Sequence, residues 1–225
     1  MSKGEPGISR VTRSKEEAKA CYNMVSKWYD MLAGLAERKS REDGLQKLSA
    51  QEGEIVLEIG FGTGHSILVL AQSVGNSGKV YGIDISDEMY NSTQSRVKEA
   101  GLSERVVLKC GDAAKLPFEA NFFNAIFMSF TLELFDTPEI PIVLYECQRV
   151  LRSGGRICIV AMSKKGKTNV IRRLYEWAHM KFPKYIDCRP IFVQEVLEDA
   201  GFQILDVIEM SMITLPVEIV VAKEV

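Results

Sequence analysis

The sequence is short of almost everything that announces a specialised chemistry. Histidine occurs twice, at His65 and His179, and two such residues far apart do not make a histidine-based metal centre. No metal is therefore expected. The five cysteines, Cys21, Cys110, Cys147, Cys158 and Cys188, contain no CxxC pair. That spacing argues against a zinc ribbon or a thioredoxin-type motif and for reduced thiols, most of them core-packed. An excess of one charge is missing too. Lys and Arg number 28 against 30 Asp and Glu, a net charge of −2, so nucleic acid is not an expected partner. No apolar run comes near the ~20 residues of a membrane-spanning helix. The N-terminal stretch MSKGEPGISRVTRSKEEAKA lacks the apolar core of a secretory signal. The expected location is cytoplasmic, with contact at the inner face of a membrane left open by a basic segment discussed below.

What is present is the composition of a globular protein, 46% hydrophobic and 26% charged over 225 residues. Such a chain can bury roughly 70% of its unfolded surface without disulfide or metal staples. Residues 1–13 carry Gly4, Pro6 and Gly7 and no apolar period, and read as a flexible arm. Residues 14–225 read as a single domain that opens with two helices over 14–50. Ser14 with Glu17 three positions on is a capping-box pattern. Ala18, Cys21, Tyr22, Val25, Trp28 and Tyr29 then follow at helical spacing. A second helix is predicted over 33–49.

From residue 54 the chain alternates. Strands are predicted over 54–59, 79–84, 105–110, 122–130 and 156–162, with helices over 64–75, 86–101 and 138–151. This alternation makes a parallel sheet with helices on both faces. After a helix over 191–200, strands over 202–210 and 216–224 follow one another without a helix, so one pair is antiparallel. The expected fold is α/β and Rossmann-like: a seven-stranded, mostly parallel sheet with one antiparallel strand and an N-terminal helical cap.

The chemistry begins at VLEIGFGTG, 56–64, where Gly60, Gly62 and Gly64 sit between a strand and a helix. Glycines there permit a tight turn and a close approach of backbone to ligand. The helix start offers free N–H groups to an anionic group. Asp84 ends the next strand, 20 residues after Gly64, where a carboxylate can accept from ribose hydroxyls. Neither glycine frame completes GxGxxG, since the third position is His65 or Ile67, and no GKS or GKT marks a P-loop.

This turn resembles motif I of class I S-adenosylmethionine-dependent methyltransferases. The likeness continues over roughly residues 20–224, through GIDIS (82–86), GDAAKLPF (111–118), FFNAIFMSFTLELF (122–135), RVLRSGGRICI (149–159) and LEDAGF (197–202). Asn124 departs from the family's usual Asp, with little effect expected. SKWYD (26–30), LPF (116–118) and SFTLELF (129–135) look most like the ubiquinone/menaquinone-biosynthesis methyltransferase group and its phospholipid-methylating relatives.

The resemblance implies S-adenosyl-L-methionine as cofactor and assigns its contacts. Glu58, Gly60, Gly62 and Gly64 would surround the methionine part. Asp84 would hold the ribose hydroxyls, with Ile85 and Met89 against the adenine. Asp112 would accept from the adenine amino group and Ala113 would donate a backbone N–H. Ser129 and Phe130 would sit near the sulfonium, a cation suited to aromatic and oxygen-rich walls. The implied activity is methyl transfer to a small-molecule or lipid-like acceptor, a quinone precursor or a phospholipid headgroup leading. Such transfer asks mainly for proximity and orientation, and for a base only where the acceptor loses a proton. Tyr29, His65 and Glu133 are the catalytic candidates, and Tyr22, Asp30, His179 and Arg189 the substrate candidates. Two other classes stay open. One is a nicotinamide-dependent oxidoreductase, which the missing third glycine disfavours. The other is a non-catalytic partner subunit of the same fold.

The balanced total charge hides an asymmetry. Residues 164–185, KKGKTNVIRRLYEWAHMKFPKY, hold seven Lys or Arg against Glu176, giving +6 and leaving −8 elsewhere. The stretch 164–190 follows the fifth strand, where this class builds its substrate cover. It reads as a solvated basic helix, as an amphipathic surface for a membrane or, least favoured because it holds no RNA-binding motif, as a nucleic-acid patch.

Overall fold

A computed structural model describes residues 10–11, 14–29, 35–165, 189–212 and 215–225, with the backbone alone at 22, 24–29 and 35–36. The capping box forms as the sequence predicts. Glu17 N donates to Ser14 Oγ at 3.2 Å and Ser14 N to Glu17 Oε2 at 2.9 Å. These bonds satisfy two of the donors that a helix start leaves bare and open α1 (Lys15–Tyr29). Helix α2 (Leu35–Leu48) follows.

The alternating part builds β1 (Ile55–Ile59), α3 (His65–Ser73), β2 (Lys79–Asp84), α4 (Asp87–Glu99), β3 (Val106–Cys110), β4 (Phe123–Ser129), α5 (Ile140–Val150) and β5 (Leu151–Met162). Helix α6 (Val193–Asp199) and strands β6 (Gln203–Met212) and β7 (Leu215–Lys223) complete the chain. The seven strands lie in the order β3-β2-β1-β4-β5-β7-β6. Five are parallel, and β7 runs antiparallel to both β5 and β6. The reversal has a simple cause. Only residues 213 and 214 separate β6 from β7, far too few for the crossover that parallel neighbours require. Strand β5 begins five residues ahead of the predicted 156, taking in the RSGG stretch that reads as a turn.

Successive side chains of a strand face opposite ways, and both faces are covered. Val56, Phe127 and Val160 pack with Leu48 of α2, Ile67 and Leu70 of α3 and Val97 of α4. Leu57, Ile126 and Ile159 pack on the other side with Val143 and Leu144 of α5 and Leu197 of α6. Burial of each such side chain contributes roughly 1.5–3 kcal/mol, so the near-continuous apolar strands read from the sequence are those of a sheet covered twice. Asn124 serves this frame: its Oδ1 accepts from Ile55 N at 2.9 Å, tying the start of β1 to β4. Cys147 and Cys158 are buried free thiols, pushed up by burial, as a core role predicts.

Two features place the site. The chain leaves β1 toward β2 on one side, while β4 pairs on the other, so the carboxyl ends of β1 and β4 flank the crevice where open α/β sheets bind ligands. Beyond β5, Ser163 bridges Ile191 in parallel, with Lys164 N donating to Ile191 O and Ile191 N to Met162 O. The segment 166–188 therefore departs from and returns to adjacent points. Among the described residues, no helix is long and apolar enough to cross a membrane.

Candidate functional site

The glycine turn after β1 takes the shape its composition suggests. Gly60 has φ +73°, and a side-chain carbon there would strike Thr131. Gly62 has φ +51° and faces open space, with nothing within 4 Å of where a Cβ would stand. The first glycine thus packs the turn against the loop after β4, and the second leaves open space at its Cα beside the crevice. Asp84 fixes this arrangement: its Oδ2 accepts from Gly62 N and its Oδ1 from Ser86 N, each at 2.9 Å. Burial pushes its carboxyl above the ordinary aspartate value, while the N–H groups of Ser86, Gly62 and Ile85 pull it back. Ser86 caps α4 by accepting from Met89 N, which seats Met89 at the crevice wall.

The crevice encloses about 140 Å³. Of the residues expected around a cofactor, Gly60, Gly62, Asp84, Ile85, Met89, Asp112, Ala113, Ser129 and Phe130 all line it. Glu58 instead lines a second, smaller chamber of about 40 Å³, which shares Gly60, Gly62 and Ser129 with the first and continues it. Gly64 lines neither. It carries φ +86° at the start of α3 and abuts Thr93, so it sets helix entry.

Charges differ sharply along this channel. At the end near Asp112, every acid has a partner from the N-terminal segment. Lys15 Nζ lies 2.6 Å from both Asp112 Oδ2 and Glu139 Oε1. Lys19 pairs with Asp87 at 2.7 Å. Arg10 donates to both oxygens of Asp136, and Val11 N adds a bond to Oδ1 at 2.9 Å. The Arg10 guanidinium holds the Asp136 carboxyl down to about 2. Arg10 and Val11, part of the arm the sequence leaves flexible, are therefore strapped across the crevice mouth; an arginine with no periodic neighbours gives no local signal of this. At the other end, Glu58 is 2% exposed and its Oε2 has no hydrogen-bond partner. Burial raises its carboxyl well above the usual glutamate range, against Ser66 and the charge of Arg41, which lower it. Ser129 Oγ is likewise buried without a partner.

The catalytic and substrate candidates are placed unevenly. His65 lines the smaller chamber, its Nε2 3.1 Å from Arg96 Nη1. Glu133 is fully buried, not solvated, and its Oε1 accepts from Met162 N at 3.2 Å. Arg189 is also fully buried. It donates to Phe135 O at 2.5 Å and Thr137 Oγ1 at 3.2 Å, and burial lowers it to about 10. Facing the 135–137 loop from behind, it supports a wall of the crevice. Tyr22 and Tyr29 lie on α1, where only their backbone is described, and Asp30 and His179 lie outside the described residues.

Several crevice residues escaped sequence reasoning: Lys15 and Ala18 of α1, Thr131, and Leu134 to Asp136. Phe130 was found, but not its backbone, at φ +50° with N donating to Val160 O. A left-handed bulky residue costs on the order of 1–3 kcal/mol and collects at functional sites.

The comparisons with known proteins agree with this geometry. A family model described as "Methyltransferase domain" matches residues 56–155. A demethylmenaquinone methyltransferase of Anoxybacillus flavithermus is 32% identical over 159 residues, 68% of this chain and 66% of that protein. The chain thus spans just under two thirds of that relative's length. One of Lactobacillus johnsonii is 30% identical over 73% of this chain and 68% of its own. Among solved structures, an S-adenosylmethionine-dependent methyltransferase from Aquifex aeolicus is 28% identical, with TM-score 0.68, over 90% of this chain and 98% of that one. The [4+2]-cyclase SpnF has TM-score 0.78 at 20% identity over 98% and 99%, which speaks for the fold alone.

A doubly wound sheet with a glycine turn, a strand-end acid and a crevice at its switch point defines a nucleoside-binding α/β protein. The chain belongs to the class I S-adenosylmethionine-dependent methyltransferases, in the group that contains the quinone-biosynthesis enzymes. S-adenosyl-L-methionine is accordingly its cofactor, and the residues fit it. The open space at Gly62 and the unpartnered oxygens of Glu58 and Ser129 lie along two adjoining cavities that share Gly60, Gly62 and Ser129.

Proposed function

We propose that this protein transfers a methyl group from S-adenosylmethionine to a lipophilic small molecule, with a quinone-precursor ring carbon preferred over a phospholipid headgroup amine. The observation that carries the reading is the crevice, lined by the residues the family uses for its cofactor and walled beyond Ser129 by the apolar Phe130, Leu134 and Phe135. The names of the demethylmenaquinone methyltransferase relatives favour the quinone arm.

The cofactor supplies an electrophilic methyl already activated by its sulfonium charge. The chain's own residues position and dry the reacting pair. Asp84, Ile85, Met89, Asp112 and Ala113 hold the adenosine. Ser129 and Phe130, fixed by the bond from Phe130 N to Val160 O, orient the reacting end. Arg189 keeps the 135–137 loop in place behind it.

The basic segment supports membrane delivery of such an acceptor, in reduced form. Lys164 and Lys165 point inward: Lys164 is 8% exposed, and Lys165 pairs with the buried Glu218 at 3.2 Å and donates to Gln194. Residues 166–185 still hold Lys167, Arg172, Arg173, Lys181 and Lys184 against Glu176. Contact with an anionic lipid surface is the reading this charge favours.

Incubation of the protein with methyl-labelled cofactor and fractionated extract tests the whole proposal. Label in the quinone fraction is expected. Label in phospholipid alone selects the second acceptor, and label confined to polar metabolites overturns the reading. Salt-reversible sedimentation with phosphatidylserine vesicles, absent with phosphatidylcholine, tests the membrane arm.

A further inference from the structure

Asp112, on which the adenine amino group is expected to settle, already has both oxygens engaged. Its Oδ1 accepts from Ala114 N at 2.9 Å and its Oδ2 from Lys15 Nζ at 2.6 Å. Lys15 opens α1, and its ammonium also lies 2.6 Å from Oε1 of Glu139, the residue just before α5. All three residues line the crevice. The backbone holds Oδ1, so Oδ2 is the oxygen left for a ligand, and a cation of the chain itself sits on it. An amino hydrogen brought to that oxygen meets the positive hydrogens of the ammonium and is repelled. Lys15, Asp112 and Glu139 are 39%, 35% and 31% exposed in their side chains, and ion pairs this open exchange partners at little cost. Glu139 gives the ammonium a place to stay when Asp112 is taken. Lys19 and Asp87 make a comparable pair at 2.7 Å, but not in the crevice lining.

We propose that Lys15 is an internal competitor of the adenine amino group: it holds Asp112 Oδ2 in the free protein and withdraws onto Glu139 alone when the nucleobase arrives. Lys15 thereby tunes which nucleobase the crevice accepts. A purine with an amino donor at its six-position must displace the ammonium, whereas one with a carbonyl there can accept from it. Asp112 without Lys15 therefore favours the amino purine more strongly than the pair does. Lys15 lies outside residues 56–155, which the family model matches, and 97 residues from Asp112. The proposal rests on the adenine end of the cofactor reading and is independent of the acceptor.

Calorimetry with S-adenosylhomocysteine decides it. Lys15→Met, which keeps the reach of the side chain and drops its charge, is expected to tighten this ligand by about two- to threefold, the scale of one exposed pair. Glu139→Gln removes the resting place and should weaken it by about two- to fivefold. Combined with Lys15→Met, Glu139→Gln should have no further effect, because the two residues act as one unit. S-inosylhomocysteine, which carries the six-position carbonyl, supplies a change of opposite sign: Lys15→Met should weaken it by about threefold. Lys19→Met, which breaks the neighbouring pair, should move neither ligand. Weaker binding of S-adenosylhomocysteine in Lys15→Met would mean that Lys15 holds the nucleobase instead of yielding to it, and a Glu139→Gln effect that persists without Lys15 would mean that the two do not exchange; either overturns the proposal. Undiminished affinity in Asp112→Ala would instead remove the adenine-end reading beneath it, so the two failures are told apart.

Discussion

The two ends of the cofactor channel are built on opposite electrostatic plans. Around Asp112 the acids are already matched by Lys15, Lys19 and Arg10 from the N-terminal segment. In the buried chamber Glu58 is left with one carboxylate oxygen unmatched. Exposed ion pairs are worth little each and fade with salt. A buried unmatched carboxylate destabilises the fold but strengthens whatever ligand satisfies it. The difference assigns distinct tasks. In the proposed site the strapped end would close over adenine without demanding much of it, and the open end would read chemical identity.

Substitutions at the two ends should separate these tasks. The largest effect is expected where the ends meet, at Asp84, which holds the turn and, in the proposed site, the ribose. Asp84→Ala should weaken cofactor binding by about 100-fold or more by calorimetry, two charged hydrogen bonds and an anchored glycine being lost together; undiminished affinity would break the picture of a single channel. Glu58→Gln comes next, with two effects of opposite sign. Cofactor affinity should fall by about 10- to 100-fold. The melting temperature of the free protein should rise, each kcal/mol relieved being worth roughly 2–4 °C in a chain of this size. A fall in both would show that Glu58 is structural.

Proton linkage sharpens the same point. With its carboxyl raised by burial, Glu58 holds a proton in the free protein at pH values above the ordinary glutamate range. Pairing with an ammonium favours the ionised form. Cofactor binding should therefore release a proton and tighten as pH rises through that window, and binding heats should depend on the buffer's ionisation enthalpy. Heats independent of buffer would contradict it.

Effects at the strapped end should be small. Lys15→Ala is expected to change cofactor affinity only two- to threefold and to flatten its dependence on salt. A tenfold loss at constant salt slope would instead make Lys15 a direct ligand. Smallest of all is the Arg10–Asp136 pair. Asp136 is depressed to about 2, so its contribution is complete above the unfolded aspartate value of about 3.9 and is lost as pH falls through about 2. Asp136→Asn should alter acid unfolding in that window, followed by circular dichroism, and move the melting temperature at neutral pH by less than about 2 °C.

The parts of this site legible in the sequence are those whose chemistry depends on local spacing. Gly60 and Gly62 follow a strand, Asp84 ends the next, and Ser14 with Glu17 forms a cap; each needs only neighbours within a turn or two. Sequence also predicts an antiparallel pair at the end of the chain, because a short link cannot make a crossover. What stayed hidden depends on contacts far along the chain. Lys15 meets Asp112 across 97 residues and Arg10 meets Asp136 across 126, and no periodicity records either. Arg189 reads as a plausible anion binder from its position after the basic segment, yet it serves the backbone of the 135–137 loop. Glu133 reads as a catalytic candidate and is wholly buried. For both, burial was the missing fact, and it is set by how a loop folds over the sheet edge.

The bridge between Ser163 and Ile191 has a consequence for descent. A segment whose two roots are pinned side by side can be lengthened, shortened or replaced while the sheet stays in register. Doubling a loop adds only about 0.6 kcal/mol of closure entropy. Lys165 on Glu218 and Arg189 on Phe135 lock the roots from either side. The sheet and the crevice are therefore expected to tolerate changes of length or sequence between these two roots. Differences among relatives should gather there first.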